Sequence, residues 1–450
     1  MRIEIFAPLH VKALLLGILF FLYTCSPEHK ATSLSSALPA KTCSPRTEKT
    51  TDPGNTAALP GSALERASSE LLYDLLKAKP DMFSSVLEHA QTYELQILFT
   101  QIERTSPNVP SFKHYAYRVN ARKYFNPASL VKLPVICLAL QKLNSLHIKG
   151  LDKNTPLSIG RQHSCQTAVK QDASAPGGRP TIAHYIKKIL LVSDNDAYNR
   201  LYEFLGQEYI NKTLWSLGYE DVRIIRRFSD CDADENRHTN SFTFFARDNE
   251  ILYTQPMLIN QQIFKNPLPD VKKGTAYIDR QGRYVHKPYD YTFSNNLSLQ
   301  DIHTMLIGLI FPQAFPEHKR FLLSDADYRF LYEYLSMLPG ESDIPLYSDS
   351  LLHPDNYKKY FIFGDAPQTK MRNSSIRIFN VVGRSDGYLS DCAYIFDPVN
   401  KIEFFLSAVI YVHDDKVMRD GKYGYDAIGL PFLSELGRTM YAYEKARKMH

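Results

Sequence analysis

The spacing of apolar residues along the chain separates helical from strand-like segments. From residue 63, leucines recur at helical intervals as far as Pro80, which predicts one amphipathic helix at the start of the folded part. At residues 93–102 the apolar period changes to two, as expected for a strand with one buried face. A second strand at about 114–119 follows across a loop that contains prolines, and the two are expected to pair antiparallel.

Helical patterns dominate the middle of the chain, and strand patterns return near its end. Residues 129–146 and 181–217 are predicted to be helical, with a polar break at 193–195. The last helix is expected to begin at Pro431, since proline is favoured in a first helical turn. Three strands are predicted between these parts, at 376–382, 392–396 and 402–412.

This order of elements predicts an α+β fold. Strands from both ends of the chain would form one antiparallel five-stranded sheet, with a layer of helices packed on it. Residues of about 241–300 mix aromatic residues, prolines and short strand-like runs, and we interpret them as an insertion in the helical part. The folded domain is predicted to cover residues 63–450 as one unit.

The N-terminal segment has the pattern of an export signal. Arg2 and Lys12 precede an apolar run that is too short to span a bilayer, so residues 1–24 are interpreted as a signal peptide. The run ends at Cys25 in a sequence similar to a relaxed bacterial lipobox, in which the cysteine would be lipidated; ordinary cleavage nearby is the alternative. Residues 25–62 are predicted to be a flexible tether. We therefore expect an exported protein, in the periplasm or outer envelope of a Gram-negative bacterium, that touches a membrane only through a lipid anchor.

Composition narrows the classes of partner. The 450 residues are 44% apolar and 22% charged, as in a folded protein. Lys and Arg number 53 and Asp and Glu 48, and the net charge of +5 is spread along the chain, so no basic stripe indicates nucleic acid. The six cysteines form no C-x-x-C pair and no cluster has the spacing of zinc ligands, which predicts neither a metal nor a cofactor.

Ser129 and Lys132 form the first candidate for chemistry. They lie three residues apart at the start of an apolar helix, so the amine can reach the hydroxyl across one turn. Burial would disfavour the ammonium form and make Lys132 a candidate base, while the helix N-terminus offers N–H groups to an oxyanion. The same spacing arises by chance about once or twice in a chain of this size, and a surface serine beside an exposed lysine is the alternative.

Ser193, Asp194 and Asn195 form the second candidate, at the break between two helices. A loop there can present Ser193 and Asn195 to the same cleft, although a helix N-cap is the alternative. In this order the two groups resemble the S-x-x-K and S-D-N motifs of class A β-lactamases and the penicillin-recognising serine enzyme superfamily. More narrowly, the chain resembles lipoprotein-like serine hydrolases of this superfamily from Bacteroidetes, over roughly residues 63–447.

The resemblance implies a role for each matching residue. Ser129 would be the acylated nucleophile and Lys132 its proton partner, while Ser193 would relay a proton to the leaving group and Asn195 would bind a substrate amide. Backbone N–H groups of Ser129 and Arg384 would form the oxyanion hole. The implied function is an envelope serine hydrolase that forms an acyl-enzyme on an amide, β-lactam or ester of a small-molecule or peptidoglycan-like substrate.

The third motif of the superfamily, K-T-G, is altered in this chain. In one register Val381 stands where the superfamily has lysine, and Gly383 matches the glycine. In another register Arg384 restores a cation. The two residues are three positions apart on one strand, so they cannot both face the cleft. We favour the register with Val381, because Asn380 then falls in the family's pattern.

The residue that would complete hydrolysis is also uncertain from the sequence. Class A β-lactamases carry a loop glutamate that activates water, and the acidic segment 230–240 lacks that motif. Glu235 or Asp234 could substitute, although a solvated acidic loop is more typical. Without a base the acyl-enzyme would persist, so a slow penicillin-binding protein or a catalytically degenerate binding lipoprotein is the alternative function.

Four further residues are interpreted as structural. His238, His303 and His413 are isolated from one another in the sequence, which is typical of satisfied structural histidines. Cys137 lies on the apolar helix and is predicted to belong to the core.

Overall fold

The computed structural model describes residues 70–106, 109–366, 371 and 374–449. Residues 104–106 and 109–111, the adjoining ends of two strands, fall in one compact unit, and the other described residues form a second. The predicted signal peptide, Cys25, the tether and the start of the first predicted helix lie outside the described residues. Among the described helices, Ala128–Leu146 is long and apolar enough to cross a membrane, but 72% of that stretch is buried inside the protein.

Helices and strands alternate in blocks along the described chain. The helices are α1 (Glu70–Lys77), α2 (Pro80–Glu88), α3 (Lys132–Leu146), α4 (Ile182–Val192), α5 (Asn195–Leu205), α6 (Gln207–Ser216), α7 (Leu299–Ile310), α8 (Asp325–Ser336) and α9 (Leu430–Lys448). The strands are β1 (Gln96–Ser106), β2 (Val109–Tyr117), β3 (Leu157–Ile159), β4 (Phe242–Phe245), β5 (Ile251–Gln255), β6 (Lys272–Lys273), β7 (Ala276–Ile278), β8 (Tyr284–Val285), β9 (Tyr289–Asp290), β10 (Arg377–Ser385), β11 (Tyr388–Asp397), β12 (Ile402–Tyr411) and β13 (Val417–Met418).

The main sheet has five strands in the order β10, β11, β12, β1, β2. Strands β10 to β12 are consecutive and pair antiparallel, and β12 then pairs antiparallel with β1, so that Gln96 stands opposite Val409. The sheet is therefore built from both ends of the chain. The predicted α+β fold, with an antiparallel sheet and a helical layer, is confirmed.

Two apolar clusters cover the two faces of this sheet. On one face Leu98 and Phe405 pack with the helical layer that includes α3, α4, α5, α7 and α8. On the other face Ile97 and Phe404 pack with α1, α2 and α9. The expectation that β1 has only one buried face is wrong, because alternate residues of this strand enter different clusters.

Pro80 follows the end of the first helix and also begins a second one. Helix α1 ends at Lys77, as the apolar pattern up to Pro80 predicts. Helix α2, which that pattern does not predict, begins at Pro80, because the first turn of a helix needs no N–H donor from that position. A second difference is the long, mostly irregular segment at 337–366, after α8, which the apolar pattern does not reveal.

The segment after α6 is anchored to the helical layer by a buried ion pair. Arg227 Nε donates to Glu203 Oε1 on α5 at 2.8 Å, and both side chains are almost fully buried. Asn240 Nδ2 donates to the other oxygen of Glu203 at 2.8 Å. Phe228 follows Arg227, and its backbone N–H donates to Asn199 Oδ1 at 2.8 Å. The ion pair therefore fixes the position of the Phe228 ring.

We expect Glu203→Ala to lower the free energy of unfolding by about 3–5 kcal/mol, because Arg227 would remain as a buried charge without its partner. Chemical denaturation followed by circular dichroism measures this change. Glu208→Ala on α6 is the control, because its ion pair with Lys212 is exposed and contributes less than about 0.5 kcal/mol. Equal losses in the two variants would contradict the assignment.

Candidate active site

A tight turn places Ser129 immediately before helix α3. Residues Ala128–Val131 form a 3-10 turn that leads directly into the helix. Ala128 has a φ of +44°, a left-handed conformation that is strained for a residue with a side chain. Strand β10 approaches this turn at Gly383, where an added Cβ would lie 2.7 Å from the Pro127 carbonyl oxygen. Only glycine allows the strand and the turn that carries Ser129 to be this close.

Lys132 is buried beneath this turn, with 1% of the residue exposed. Its Nζ donates to the Ser193 carbonyl oxygen at 2.6 Å and to Asn195 Oδ1 at 2.7 Å, and lies 3.1 Å from Ser193 Oγ. The Phe228 ring centroid is 5.0 Å from Nζ. Burial, together with the nearby Lys358 amine, holds the pKa of Lys132 well below that of an exposed lysine. The amine can therefore be neutral, with a lone pair that can accept a proton from a serine hydroxyl.

The break between α4 and α5 presents the two other polar groups. Ser193 ends α4 in the left-handed conformation, with a φ of +57°. Asp194 is the N-cap of α5 and accepts from the Ala197 N–H at 2.7 Å. The capping interpretation is therefore right for Asp194. The cap also turns Ser193 and Asn195 toward the Lys132 amine.

A cavity of about 370 Å³ opens above these groups. Among the six residues predicted for the site, the structure brings four to its wall, and Lys132 lies beneath Ser193 and Asn195. Gly383 is buried beside Ala128. The residues that line the cavity are Ser129, Val192, Ser193, Asn195, Pro354, Asn356, Tyr357, Lys358, Tyr360, Gly364, Val382, Arg384 and Leu430.

The structure selects between the two registers of the third motif. Val381 is 2% exposed and packs in the apolar core, whereas Val382 and Arg384 line the cavity. The preference for Val381 as the residue that faces the cleft is therefore wrong. Arg384 keeps 44% of its side chain exposed, and its guanidinium lies 4.4 Å from the Tyr425 ring centroid. A partly exposed cation, 3.7 Å from the exposed Asp426 carboxylate, thus stands at the cavity wall.

Lys358 is a second basic group at the cavity that sequence reasoning missed. Its Nζ donates to the carbonyl oxygens of Ile189 and Leu190, at 3.1 and 2.6 Å, at the end of α4. Burial lowers the pKa of Lys358 to about 7. Asn380 Nδ2 donates to the Lys358 carbonyl oxygen at 2.6 Å and to Asp391 Oδ1 at 2.8 Å, which ties the lysine to strands β10 and β11. Lys358 lies on the irregular connection before β10, so no periodicity indicates it.

The acidic segment does not reach the cavity. Glu235 accepts from the Asp232 N–H at 2.8 Å and from the Ser164 hydroxyl, and Asp234 lines a different cavity. The suggestion that either residue supplies the deacylating base is therefore wrong for this arrangement. Among the described residues that line the Ser129 cavity, none is an aspartate, a glutamate or a histidine.

Two of the structural interpretations are confirmed. His303 is buried, and its ring nitrogens lie 2.8 Å from Thr100 Oγ1 and 2.7 Å from Ser407 Oγ, so both are satisfied. Cys137 is fully buried in the core. Cys165 and Cys231 form a disulfide, a pairing that their spacing along the chain does not indicate.

Solved structures similar in fold are β-lactamases and a penicillin-binding protein. The β-lactamase from Sphaerobacter thermophilus is 13% identical, with 82% of this chain and 96% of that chain covered, at a TM-score of 0.44. The enzyme from Streptomyces albus G is 15% identical, with 82% and 99% covered, at 0.43. A mutant of PBP-A, solved as its acyl-enzyme complex with penicillin G, is 13% identical, with 83% and 97% covered, at 0.43.

The sequence itself matches one family model. Residues 84–257 match the beta-lactamase enzyme family, and this segment contains Ser129, Lys132, Ser193 and Asn195. No curated protein matches the sequence. The family match over residues 84–257 of the 450, together with the fold described above, supports a beta-lactamase-like serine enzyme.

Proposed function

We propose that the protein is a serine hydrolase that forms an acyl-enzyme at Ser129. The observation that carries the proposal is the buried Lys132 amine, which contacts both Ser193 and Asn195 beneath a cavity that Ser129 lines. A lysine with a lowered pKa beside the Ser193 hydroxyl, three residues along the chain from Ser129, is an arrangement that suits nucleophilic catalysis. The family model that matches residues 84–257 supports hydrolysis in general terms.

The proposed reaction begins when Ser129 Oγ attacks the substrate carbonyl carbon. A bond forms between this oxygen and the carbonyl carbon, and the Lys132 amine accepts the hydroxyl proton. Ser193, 3.1 Å from the Lys132 Nζ, relays that proton to the leaving nitrogen or oxygen as its bond to the carbonyl carbon breaks. Backbone N–H groups of Ser129 and Arg384 would stabilise the oxyanion. Water then hydrolyses the acyl-enzyme.

The groups around the cavity favour an amide, β-lactam or ester that carries a negative charge. Arg384 is an exposed cation at the wall, and Lys358 adds a second basic group. Tyr357 and Tyr360 supply an aromatic wall, which suits a small molecule or a peptidoglycan-like substrate. Asn195 would hold a substrate amide, because its side chain lies at the wall beside Ser193.

The composition of the cavity wall favours slow hydrolysis of the acyl-enzyme, the second step of the reaction. None of the described lining residues is a carboxylate or a histidine, and the Lys358 amine is held by the carbonyl oxygens of Ile189 and Leu190, so no evident group activates the water that would release the acyl group. A slow penicillin-binding protein is therefore the second candidate function. A catalytically degenerate binding lipoprotein, which would bind the same substrate in this cavity without hydrolysing it, is the other alternative.

We also propose that the protein acts in the bacterial cell envelope. The Cys165–Cys231 disulfide supports this location, because such bonds persist in oxidising compartments. The signal peptide and the lipid anchor at Cys25 remain predictions from the sequence.

We expect a fluorescent penicillin to label the purified protein covalently and Ser129→Ala to lose the label. A fluorophosphonate, which reacts with activated serines in general, serves as a second probe for a site that excludes β-lactams. Ser145→Ala on α3 is the control, because this exposed hydroxyl bonds only to the Lys142 carbonyl oxygen. Labelling in Ser129→Ala at the wild-type rate, or no labelling of the wild type by either probe, would refute the proposal.

The labelling rate should depend on the protonation state of Lys132. Burial lowers the pKa of this amine, so Lys132 becomes neutral at a lower pH than an exposed lysine does. The acylation rate should therefore rise with pH as Lys132 loses its proton, which gives the pH–rate profile a rising limb. Lys132→Arg should remove this limb, because a guanidinium does not accept a proton. Stopped-flow labelling across pH measures the profile, with Lys212→Arg as an exposed control. An unchanged profile in Lys132→Arg would exclude Lys132 as the base.

The acyl-enzyme should persist once it has formed. We expect intact-protein mass spectrometry to show the added mass for many minutes after excess reagent is removed, because the cavity wall has no evident base. Hydrolysis of a chromogenic cephalosporin should be correspondingly slow. Rapid, saturable turnover by the purified protein would show that a base reaches the site.

A further inference from the structure

The loop after strand β12 gathers three metal-binding side chains that the proposed reaction does not use. His413 is buried, and its Nε2 lies 2.9 Å from Asp415 Oδ1 and 3.4 Å from Asp420 Oδ1. One ligand atom from each residue can be chosen so that all three lie within 4.8 Å of one another. The family match at residues 84–257 ends well before this loop.

Two buried atoms of this cluster lack hydrogen bonds. Nε2 of His413 makes none, although two carboxylate oxygens are so near, because neither lies in line with an N–H at that position. The second oxygen of Asp420, Oδ2, is also buried without a partner. Unpaired buried polar atoms are costly, and here both belong to side chains of the same cluster.

A chain of hydrogen bonds indicates which ring nitrogen of His413 can bind a metal ion. The Tyr411 hydroxyl donates to Met418 Sδ at 3.3 Å, and its oxygen lies 3.1 Å from His413 Nδ1. The oxygen can therefore accept a proton from Nδ1–H, which leaves the lone pair of the neutral ring on Nε2. A cation placed between Nε2 and the two carboxylates would satisfy all three groups. Metal-binding histidines are oriented by this kind of hydrogen bond from the other ring nitrogen.

The distances agree with those between ligands of one ion. Nitrogen and oxygen ligands lie about 2.1 Å from a bound zinc ion, so two of them are about 3.0 Å apart at a right angle and about 3.4 Å apart at the tetrahedral angle. Backbone N–H groups hold the carboxylates in place, because Val417 N donates to Asp415 Oδ1 and Lys422 N to Asp420 Oδ1, each at 2.9 Å. The two distances from Nε2 are therefore compatible with one bound ion, and both carboxylates are held by the backbone.

We propose that His413, Asp415 and Asp420 bind a divalent first-row transition metal ion such as Zn²⁺. One imidazole and two carboxylates suit such an ion, whereas Ca²⁺ and Mg²⁺ prefer oxygen ligands alone. Solvent reaches the site at Asp415, whose side chain is 48% exposed, and water would complete the coordination. The site replaces the expectation from the sequence that the chain has no metal.

Another histidine pair is less suited to this role. The rings of His163 and His238 are stacked with centroids 4.3 Å apart and an interplanar angle of 13°. A metal must lie in the plane of each imidazole that binds it, and nearly parallel rings do not meet at one ion. We therefore assign the site to the loop after β12.

A bound ion would hold the end of strand β10 in place. Val412 N donates to the Gly387 carbonyl oxygen at 2.7 Å, and Tyr425 Oη accepts from the Gly387 N–H at 2.8 Å. Gly387 has a φ of +84°, and an added Cβ would lie 2.8 Å from the His413 Cβ. The metal loop thus supports the turn that follows Arg384. The site itself stands independently of the proposed hydrolase activity.

The test is a titration of the purified full chain with Zn²⁺ after treatment with a chelator, followed by calorimetry. We expect one equivalent to bind and to raise the melting temperature, and Ca²⁺ to bind far more weakly. His413→Gln, Asp415→Asn and Asp420→Asn should each weaken Zn²⁺ binding by at least about tenfold. Asp414→Asn is the matched control, an exposed carboxylate in the same loop that is not part of the cluster, and should bind as the wild type does.

The ligands give an independent readout. X-ray absorption at the zinc edge should show one imidazole with oxygen ligands, and circular dichroism checks that each variant is folded. Asp415→Asn is decisive even if His413→Gln misfolds, because Asp415 is half-exposed and is not part of the core. Absence of zinc binding to the wild type would overturn the proposal. The proposal would also be overturned if Asp415→Asn bound Zn²⁺ with unchanged affinity, or if His238→Gln, and not the variants of this loop, lost Zn²⁺ binding.

Discussion

The removal of the Lys132 amine from water is the interaction on which the candidate site depends. A serine and a lysine three residues apart are common in helices, and on a solvated helix the lysine stays protonated and inert. Here the α4–α5 break and the Phe228 ring enclose the amine, so that its remaining contacts are oxygens of Ser193 and Asn195. The buried ion pair between Arg227 and α5 fixes the segment that supplies this ring. The chemistry of one side chain thus depends on the packing of the whole helical layer.

The sequence predicts well those elements whose residues follow a single period. The strands β10 to β12 and the helices α3 to α6 are predicted from the sequence, because each has a long apolar pattern. The prediction is incomplete at Pro80, which follows the end of α1 as expected and also begins α2, because proline is favoured in a first helical turn. It is wrong for β1, whose polar positions Gln96 and Thr100 are buried because helices cover both faces of the sheet.

The site was predictable only in part, for a related reason. Ser129, Lys132, Ser193 and Asn195 lie in short motifs whose residues stay together in the sequence. Lys358 comes from an irregular connection, and its position is set by carbonyl oxygens about 170 residues earlier in the chain. The side that Arg384 faces depends on the register of β10, which the sequence leaves open between two possibilities. The cluster around His413 has no known spacing, because its geometry comes from the turns of a loop.

The pairing of β1 with β12 has a consequence for how this protein is made. The two strands that meet at the centre of the sheet are separated by about 300 residues, so β1 has no neighbour on that side until almost the whole chain has been synthesised. Contacts so distant in sequence slow folding, because the chain loses the entropy of closing a very long loop before these contacts can stabilise it. A ribosome-bound nascent chain shorter than residue 402 therefore carries an unpaired apolar strand edge. Chaperones that hold such edges apart would have their greatest effect on this protein before its last fifty residues emerge.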